Sequence, residues 1–157
     1  MGIKTVSSTH LDVYKRQEEL LALMPVWNYR IAKPFKQMLD EGVSLEMYYC
    51  IQTLRWYGGT LTMSELARYV RMPKHQMTKM ADRLIAHEFV KRVYDVDDRR
   101  VIRLQITEKA LAYIDHFLDE DAGCFRKLFE NMTEENRVRF QEAMKAMIDI
   151  LIELPQA

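Results

Sequence analysis

The chain has 157 residues, of which 48% are hydrophobic and 29% are charged, as in an ordinary globular protein. Its 23 Lys and Arg balance its 23 Asp and Glu, and this zero net charge argues against a protein that binds polyanions over its whole surface. No apolar run approaches the roughly 18 residues of a membrane span, and two cysteines do not make a disulfide framework. These features predict one domain, or one domain with an extension, in a reducing cytoplasm and with no membrane partner.

The polar residues 1–17 stand apart from the rest of the chain. Residues 12–17 (DVYKRQ) are what the DNA sequence GATGTGTATAAGAGACAG encodes, and that DNA resembles the mosaic end of a transposase sequencing adapter. We interpret residues 1–17 as a non-native N-terminal extension, and the alternative is a native polar arm. Residues 18–157 are predicted to form a single domain.

Two helices are predicted before residue 60. The first covers residues 18–43 and has an apolar stripe, which Pro25 and Pro34 should kink or divide. The second covers residues 45–57, starts after a capping Ser44 and stops at Gly58. It is apolar on most sides, so we expect it to be central.

Residues 60–107 hold two short helices followed by two alternating segments. Thr62 and Glu65 suit a capping box at the start of the first helix, and Pro73 separates it from the second. The second helix has an apolar stripe at three- and four-residue spacing. The polar residues off that stripe are Lys74, His75, Gln76, Thr78, Lys79 and Arg83. Residues 90–95 and 101–106 alternate as antiparallel strands do, with a charged hairpin tip between them. Helix, helix and hairpin in this order make a winged helix-turn-helix.

Positive charge is concentrated in that lobe. Residues 60–107 contain ten Lys or Arg and six Asp or Glu, a net charge of +4, so the remainder carries −4. A basic module on an acidic remainder indicates localised nucleic-acid binding. The alternative is chance variation in the charge of a solvated surface.

Two helices are predicted after the hairpin. Thr107 should cap a long helix lined by Leu111, Ile114, Leu118 and Phe125. Thr133 should start the last helix, whose apolar stripe is Phe140, Met144, Met147, Ile148 and Leu151.

Four motifs within residues 61–109 resemble the MarR family of bacterial winged-helix transcription regulators. They are, in chain order, Leu61-Thr62-x-Ser64-Glu65-Leu66-Ala67, Asp82-Arg83-Leu84, the wing motif Asp98-x-Arg100, and Ile106-Thr107-Glu108-Lys109. Each motif alone is weak, but all four occur in the order and at the spacing of the family. The chain departs from the family at Pro73, where a small polar residue is usual, and at Glu88-Phe89-Val90, where the family has Gly-Leu-Val. The turn at Glu88 must therefore reverse without glycine.

The resemblance implies a mainly α fold with a small β-wing, in which residues 60–107 form the winged helix-turn-helix lobe. It also implies that residues 18–43 and 108–157 are dimerisation helices of a homodimer, and the apolar excess of the terminal helices agrees; the alternative is that they pack within one chain. The expected partner is double-stranded DNA, contacted by the exposed residues of the second helix and by Arg99 and Arg100. Asp98 would orient the wing arginine. Which arginine enters the minor groove stays open.

The implied function is a DNA-binding transcription regulator, a repressor released by a small aromatic effector. Trp27, Tyr48 and Tyr49 are the candidates for an effector pocket, although plain core packing is the favoured interpretation of each. Some relatives sense peroxides through a cysteine, but Cys50 lies in the most apolar helix, which favours a buried, inert thiol. No catalytic or metal-binding motif is present, so we expect neither an enzyme nor a cofactor. The alternative function is a winged-helix protein-interaction module that does not bind DNA.

Overall fold

The computed structural model describes residues 8–119, 123 and 125–155. The chain divides into two compact units, Met1–Met38 and Leu39–Ala157. Both are mainly helical, and the second also holds a small antiparallel sheet. Among the described residues, no helix combines the length and the apolar character that a bilayer crossing requires.

The first unit is a run of helix with one change of winding. Helix α1 spans Ser8–Trp27, a π-helical turn spans Asn28–Ala32, and α2 spans Lys33–Met38. Pro25 lies inside α1, where it removes a backbone donor, and the π turn begins three residues later. The predicted interruption of this helix is confirmed. The helix starts at Ser8, earlier than the predicted residue 18, since no Pro or Gly between residues 8 and 24 stops it.

The second unit carries the remaining elements. They are α3 (Leu45–Trp56), β1 (Thr60–Thr62), α4 (Met63–Tyr69), α5 (Lys74–Ala86), β2 (Val90–Tyr94), β3 (Ile102–Ile106), α6 (Glu108–His116), α7 (Arg126–Glu130) and α8 (Glu134–Glu153). The two helices, the hairpin and the first and last caps of this region agree with the sequence prediction, so the winged helix-turn-helix fold is confirmed.

Helix α3 is central to the core of this unit, as predicted. Ser44 caps it by accepting a hydrogen bond from the Met47 amide at 3.1 Å. Met47, Cys50, Ile51 and Leu54 are all 0% exposed. Side chains from α4, α5 and β3 complete the same cluster, among them Leu66, Leu84 and Leu104. The burial of these apolar surfaces is the main stabilising contribution to the lobe.

The sheet has the order β1-β3-β2, with both pairs antiparallel. Val90 lies opposite Ile106, and Leu104 lies opposite Leu61 of β1. The predicted hairpin is therefore correct. The third strand was not predicted, because three residues between Gly59 and a helix cap show no alternation long enough to indicate a strand.

The helix after the wing is shorter than predicted. Thr107 caps α6 by accepting from the Ala110 amide at 3.2 Å, but α6 ends at His116. The next three amides donate to carbonyls three residues back, at 3.2, 2.9 and 3.3 Å, and this tighter winding ends the α-helix. Leu118 is 73% exposed and does not line the core. Phe125 lies just before α7, and not in a continuation of α6.

Candidate nucleic-acid interface

The polar face of α5 is exposed because the opposite, apolar face is buried in the core. Met77, Met80, Ala81 and Leu84 are 0–4% exposed, as the three- and four-residue spacing predicted. The helix starts directly after Pro73, whose φ of −58° suits the entry to a helix. The stripe thus fixes the rotation of α5 and turns its polar side chains to solvent.

All six predicted DNA-contacting residues of α5 are exposed: Lys74, His75, Gln76, Thr78, Lys79 and Arg83. Gln76, Lys79 and Arg83 recur at three and four residues and lie on one face of the helix. The Thr78 hydroxyl donates to the Lys74 carbonyl at 3.2 Å. Within the described part of the chain, the other five side chains make no hydrogen bond or ion pair, so their polar groups are available to a ligand.

A cleft of about 330 Å³ opens between the start of α4 and the start of α5. It is lined by Met63, Ser64, Lys74, His75, Met77 and Thr78. The structure therefore brings three of the predicted DNA-contacting residues together around one depression. Ser64 is exposed and belongs to the same cleft, but the sequence alone had marked it only as part of a helix start.

The wing tip holds Arg100 in a defined position. The Asp98 Oδ1 atom accepts from the backbone N and the Nε of Arg100 at 3.0 and 3.1 Å, and Oδ2 accepts from Nη2 at 3.2 Å. These bonds lower the pKa of the Asp98 carboxyl, the side-chain bond to Arg100 being the larger cause. The Arg100 side chain is nevertheless 91% exposed. Arg99 is exposed too, and makes no hydrogen bond or ion pair with the residues that the structure describes.

The base of the wing is tied to α4 by an arginine that sequence analysis did not single out. Arg103 Nε donates to Asp95 Oδ2 at 2.5 Å, and Arg103 Nη1 lies 3.7 Å from Glu65 Oε2. The hydrogen bond from Arg103 is the largest cause that lowers the pKa of Asp95. Glu65 also completes the capping box of α4, where its carboxylate accepts from the Thr62 amide at 2.8 Å. Nothing in the local pattern of β3 indicates this role, because the partners are 8 and 38 residues away.

Most of the negative charge of the lobe is neutralised internally. Four of its six carboxylates pair with arginines of the lobe: Glu65 and Asp95 with Arg103, Asp82 with Arg92, and Asp98 with Arg100. Glu88 pairs with Lys109. The cations left without an ion pair among the described residues include Arg71 and Lys91, both exposed and both missed as candidates. The available positive charge therefore lies on and beside α5 and at the wing tip.

The turn from α5 into the wing reverses at Glu88, with φ of +60°. The Phe89 amide donates to the Leu84 carbonyl at 2.9 Å and the Glu88 amide to the Ile85 carbonyl at 2.8 Å, the bonding of a Schellman motif. The Glu88 carbonyl also accepts from the Thr107 hydroxyl at 2.6 Å. A non-glycine residue thus takes the left-handed conformation, which costs free energy that the surrounding contacts offset.

Comparison with known proteins agrees with this geometry. The MarR family model matches residues 44–102, from the cap of α3 to the first residue of β3. Over this segment the chain is similar to the MarR family. The uncharacterized HTH-type transcriptional regulator YsmB of Bacillus subtilis is 28% identical over 133 residues, which cover 85% of this chain and 86% of that protein. The HTH-type transcriptional repressor MdtR of the same organism is 26% identical over 104 residues, 66% of each chain.

A solved structure with a similar fold contains DNA. It is a mutant MarR from E. coli complexed with operator DNA, which is 19% identical to this chain. Its TM-score is 0.57, and the match covers 82% of this chain and 95% of that one. At this identity the likeness is one of fold.

The three predicted effector residues have different surroundings. Tyr48 is half-buried and lies edge-on against Phe117, with ring centroids 5.9 Å apart. Tyr49 is 46% exposed, and partial burial raises its pKa. Trp27 belongs to the N-terminal unit and is 40% exposed. The effector role of all three residues stays a prediction.

Cys50 is chemically protected. Its side chain is 0% exposed. Burial, with a smaller contribution from the charge of Glu46, raises the pKa of the Cys50 thiol to about 12. A thiol in this state stays protonated at neutral pH, and the thiolate is the form that peroxides oxidise. This favours the inert thiol that the sequence indicated.

Proposed function

We propose that this protein is a sequence-specific regulator of transcription that binds double-stranded DNA, and that it is a repressor released by a small-molecule effector. The observation that carries the proposal is the exposed polar face of α5, on which every side chain but Thr78 lacks a hydrogen bond or ion pair among the described residues, together with a wing tip that has two exposed arginines. The relative MdtR is named a transcriptional repressor, and the structure of mutant MarR contains operator DNA. Both support the same assignment for a chain with this fold and this charge distribution.

The start of α5 is suited to reading base edges in the major groove. In helix-turn-helix proteins the second helix enters that groove with its N-terminal residues at the bases. Gln76 would pair bidentately with adenine, and Lys74 or Lys79 would donate to guanine O6 and N7. His75 and Thr78 line the same surface and offer further hydrogen bonds. Arg83 lies two turns further along and is placed for phosphate.

The wing is suited to the minor groove and the flanking phosphates. A narrow minor groove has an enhanced negative potential that attracts guanidinium. Arg99 makes no ion pair with the residues that the structure describes, whereas the Arg100 guanidinium is oriented by Asp98. We assign Arg99 to electrostatic attraction and Arg100, with Asp98 as its orienting residue, to insertion at a defined position.

A homodimer is the assembly that this proposal requires. Met147, Ile148 and Leu151 of α8 are 39%, 46% and 60% exposed in the single chain. Contiguous apolar surface of this kind marks interaction sites in soluble proteins, and obligate dimers bury such surfaces. Two recognition helices related by a twofold axis would read a pseudo-palindromic operator. The dimer would use residues 18–43 and 108–157.

An aromatic effector is proposed as the release signal, with Trp27, Tyr48 and Tyr49 as its contacts. The buried, protonated Cys50 thiol argues against oxidation as the signal. We place the protein in the cytoplasm, where DNA is accessible and thiols are kept reduced.

Enrichment of randomised duplex DNA by the purified protein, followed by sequencing, tests the proposal. We expect a pseudo-palindromic motif whose half-sites are one helical turn, roughly 34–36 Å, apart. The purified protein should bind that motif with a strong salt dependence. Recovery of no motif, with weak binding that is equal on all sequences, would support the protein-interaction alternative. The variant in which Lys74, Gln76 and Lys79 are all Ala is the control, since it removes the polar face and leaves the core unchanged.

A further inference from the structure

The side chain of Arg103 joins the wing to the helix-turn-helix. Arg103 lies in β3 and is 33% exposed, with Asp95 on one side and Glu65 on the other. Asp95 lies at the start of the wing tip and is only 15% exposed. Glu65 lies in the first turn of α4, where the capping box already fixes it. The arginine therefore connects two carboxylates that are each anchored to a different element.

The contact continues from Asp95 to the wing tip. The Oδ1 atom of Asp95 accepts from the amides of Asp97 and Asp98, at 2.9 and 3.2 Å. The Asp98 carboxylate in turn accepts from the backbone and the guanidinium of Arg100. An unbroken series of charge-assisted contacts thus runs from the cap of α4 to an arginine that is 91% exposed. Bonds of this kind are stronger than neutral ones.

We propose that Arg103 is a positioning residue for DNA binding: through Asp95 and Glu65 it holds the wing tip against α4 and thereby sets the position of Arg100, without itself contacting DNA. The DNA-binding half of this statement rests on the proposed function. The half that concerns the wing tip does not, and it can be measured without DNA.

Arginine is suited to this role where lysine would not be. The planar guanidinium presents donors in fixed directions, so that Nε bonds Asp95 while Nη1 faces Glu65. The pair lowers the pKa of Asp95 and raises that of Arg103, which agrees with a close and partly shielded contact. The other ion pair between the hairpin and a helix, Arg92 with Asp82, is 47% and 64% exposed. It is open to solvent screening and should contribute less.

The first experiment measures amide hydrogen exchange by NMR in the full chain without DNA. Three variants are compared with the native chain: Arg103→Gln, Glu65→Gln and, as control, Lys91→Gln. Glu65→Gln keeps an acceptor for the Thr62 amide and so keeps the capping box. Lys91 lies in β2, is exposed, and has no ion pair among the described residues; its substitution removes the same charge as Arg103→Gln.

The amides of Asp97, Asp98 and Arg100 should exchange roughly threefold faster or more in Arg103→Gln, and less so in Glu65→Gln. The Leu104 amide, in the core of the sheet, serves as the internal reference for global unfolding. Exchange at the tip should be unchanged in Lys91→Gln. Equal exchange at the tip in all three variants would overturn the positioning role.

The second experiment measures affinity for the enriched operator in a double-mutant cycle with Arg100→Ala. Arg103→Gln alone should weaken binding roughly fivefold to tenfold, and more than Lys91→Gln does. In the Arg100→Ala background the same substitution should weaken binding less than about twofold, since the arginine it positions is gone. An equal loss in both backgrounds would show that Arg103 acts by its own charge. If the native chain binds no operator, the proposed function fails, while faster exchange at the tip would still establish the contact between Arg103 and the wing tip.

Discussion

Substitution of the two wing arginines distinguishes electrostatic attraction to DNA, assigned to Arg99, from insertion at a defined position, assigned to Arg100. The structure distinguishes the two side chains: Arg99 has no partner among the described residues, whereas Arg100 forms a fork with Asp98 and a nearly neutral pair. Arg99→Ala should therefore remove a full positive charge from the DNA-facing surface. Arg100→Ala should remove less net charge, because Asp98 already compensates Arg100, but it removes the guanidinium that Asp98 holds in a defined orientation. The double substitution should lower the affinity for every operator, because neither contact reads a base sequence directly.

The size of the effect follows from counterion release. Each phosphate contact contributes roughly 0.9 to the slope of log K against log salt. Two wings act in a homodimer, so Arg99→Ala should make the slope shallower by about 1.8. Over a fourfold rise in salt, from about 50 to 200 mM, a slope difference of about 1.8 reduces the advantage of the native protein about twelvefold. Arg100→Ala should change the slope less, and Asp98→Ala should lower affinity by less than the double substitution.

Fluorescence anisotropy of labelled operator, titrated at four or more salt concentrations, measures these slopes. Arg139→Ala on the polar face of α8 is the control, as it removes an arginine outside the lobe. An unchanged slope in the Arg99→Ala/Arg100→Ala variant would refute the proposed contact of the wing with DNA and favour the protein-interaction alternative. A larger slope change from Arg100→Ala than from Arg99→Ala would refute the assignment of the two roles.

Four further outcomes are expected. Gln76→Ala should weaken operator binding by about 1–3 kcal/mol and relax preference at one base position, and an equal loss on all sequences would show that Gln76 does not read bases. Leu151→Glu should give a folded monomer by light scattering, because Leu151 is 60% exposed in the single chain and a buried charge would disfavour the dimer. The matched control Ala146→Glu, on the polar face of α8, should stay dimeric. A dimer in both variants would place the interface elsewhere. Glu88→Gly should raise the free energy of unfolding by about 1 kcal/mol, because φ is +60° there, and Glu88→Ala, which keeps the Cβ and loses the same Lys109 pair, should not. An equal change in both variants would show that the left-handed backbone at Glu88 does not cause it. A chain without residues 1–17 should keep its melting temperature and operator affinity, because residues 12–17 are exposed on α1, and a large loss of either would show that this segment is native structure.

The fold of the winged helix-turn-helix lobe was predictable because the sequence signals that specify it act between residues close together in the chain. The Thr62–Glu65 capping box, Pro73 and the spacing of Met77, Met80 and Leu84 each act within one or two helical turns. Alternation in residues 90–95 and 101–106 indicated the hairpin for the same reason, since it reports the two faces of a strand. The buried stripe of α5 also identified its exposed residues, which are the polar ones that lie off that stripe. Their contacts with DNA are still predictions.

Other features depended on contacts between distant residues. Strand β1 exists because Leu61 can lie opposite Leu104, more than 40 residues away, and a three-residue strand shows no period of its own. Helix α6 ends at His116 although the apolar spacing continues beyond it. Here Phe117 finds its partners in Tyr113 and Tyr48, while Leu118 faces solvent.

The sequence by itself determined helices α3, α4, α5 and α8, the hairpin and the side chains of α5 that face solvent, because hydrogen bonds and periodicity within a few residues decide these. Only the tertiary structure decided that the carboxylates of the lobe are neutralised from within and that Arg103 links Asp95 to Glu65. The physical reason is the range of the interactions. An ion pair across 38 residues leaves no mark on the local pattern, and it forms only after the sheet has brought β3 beside the cap of α4.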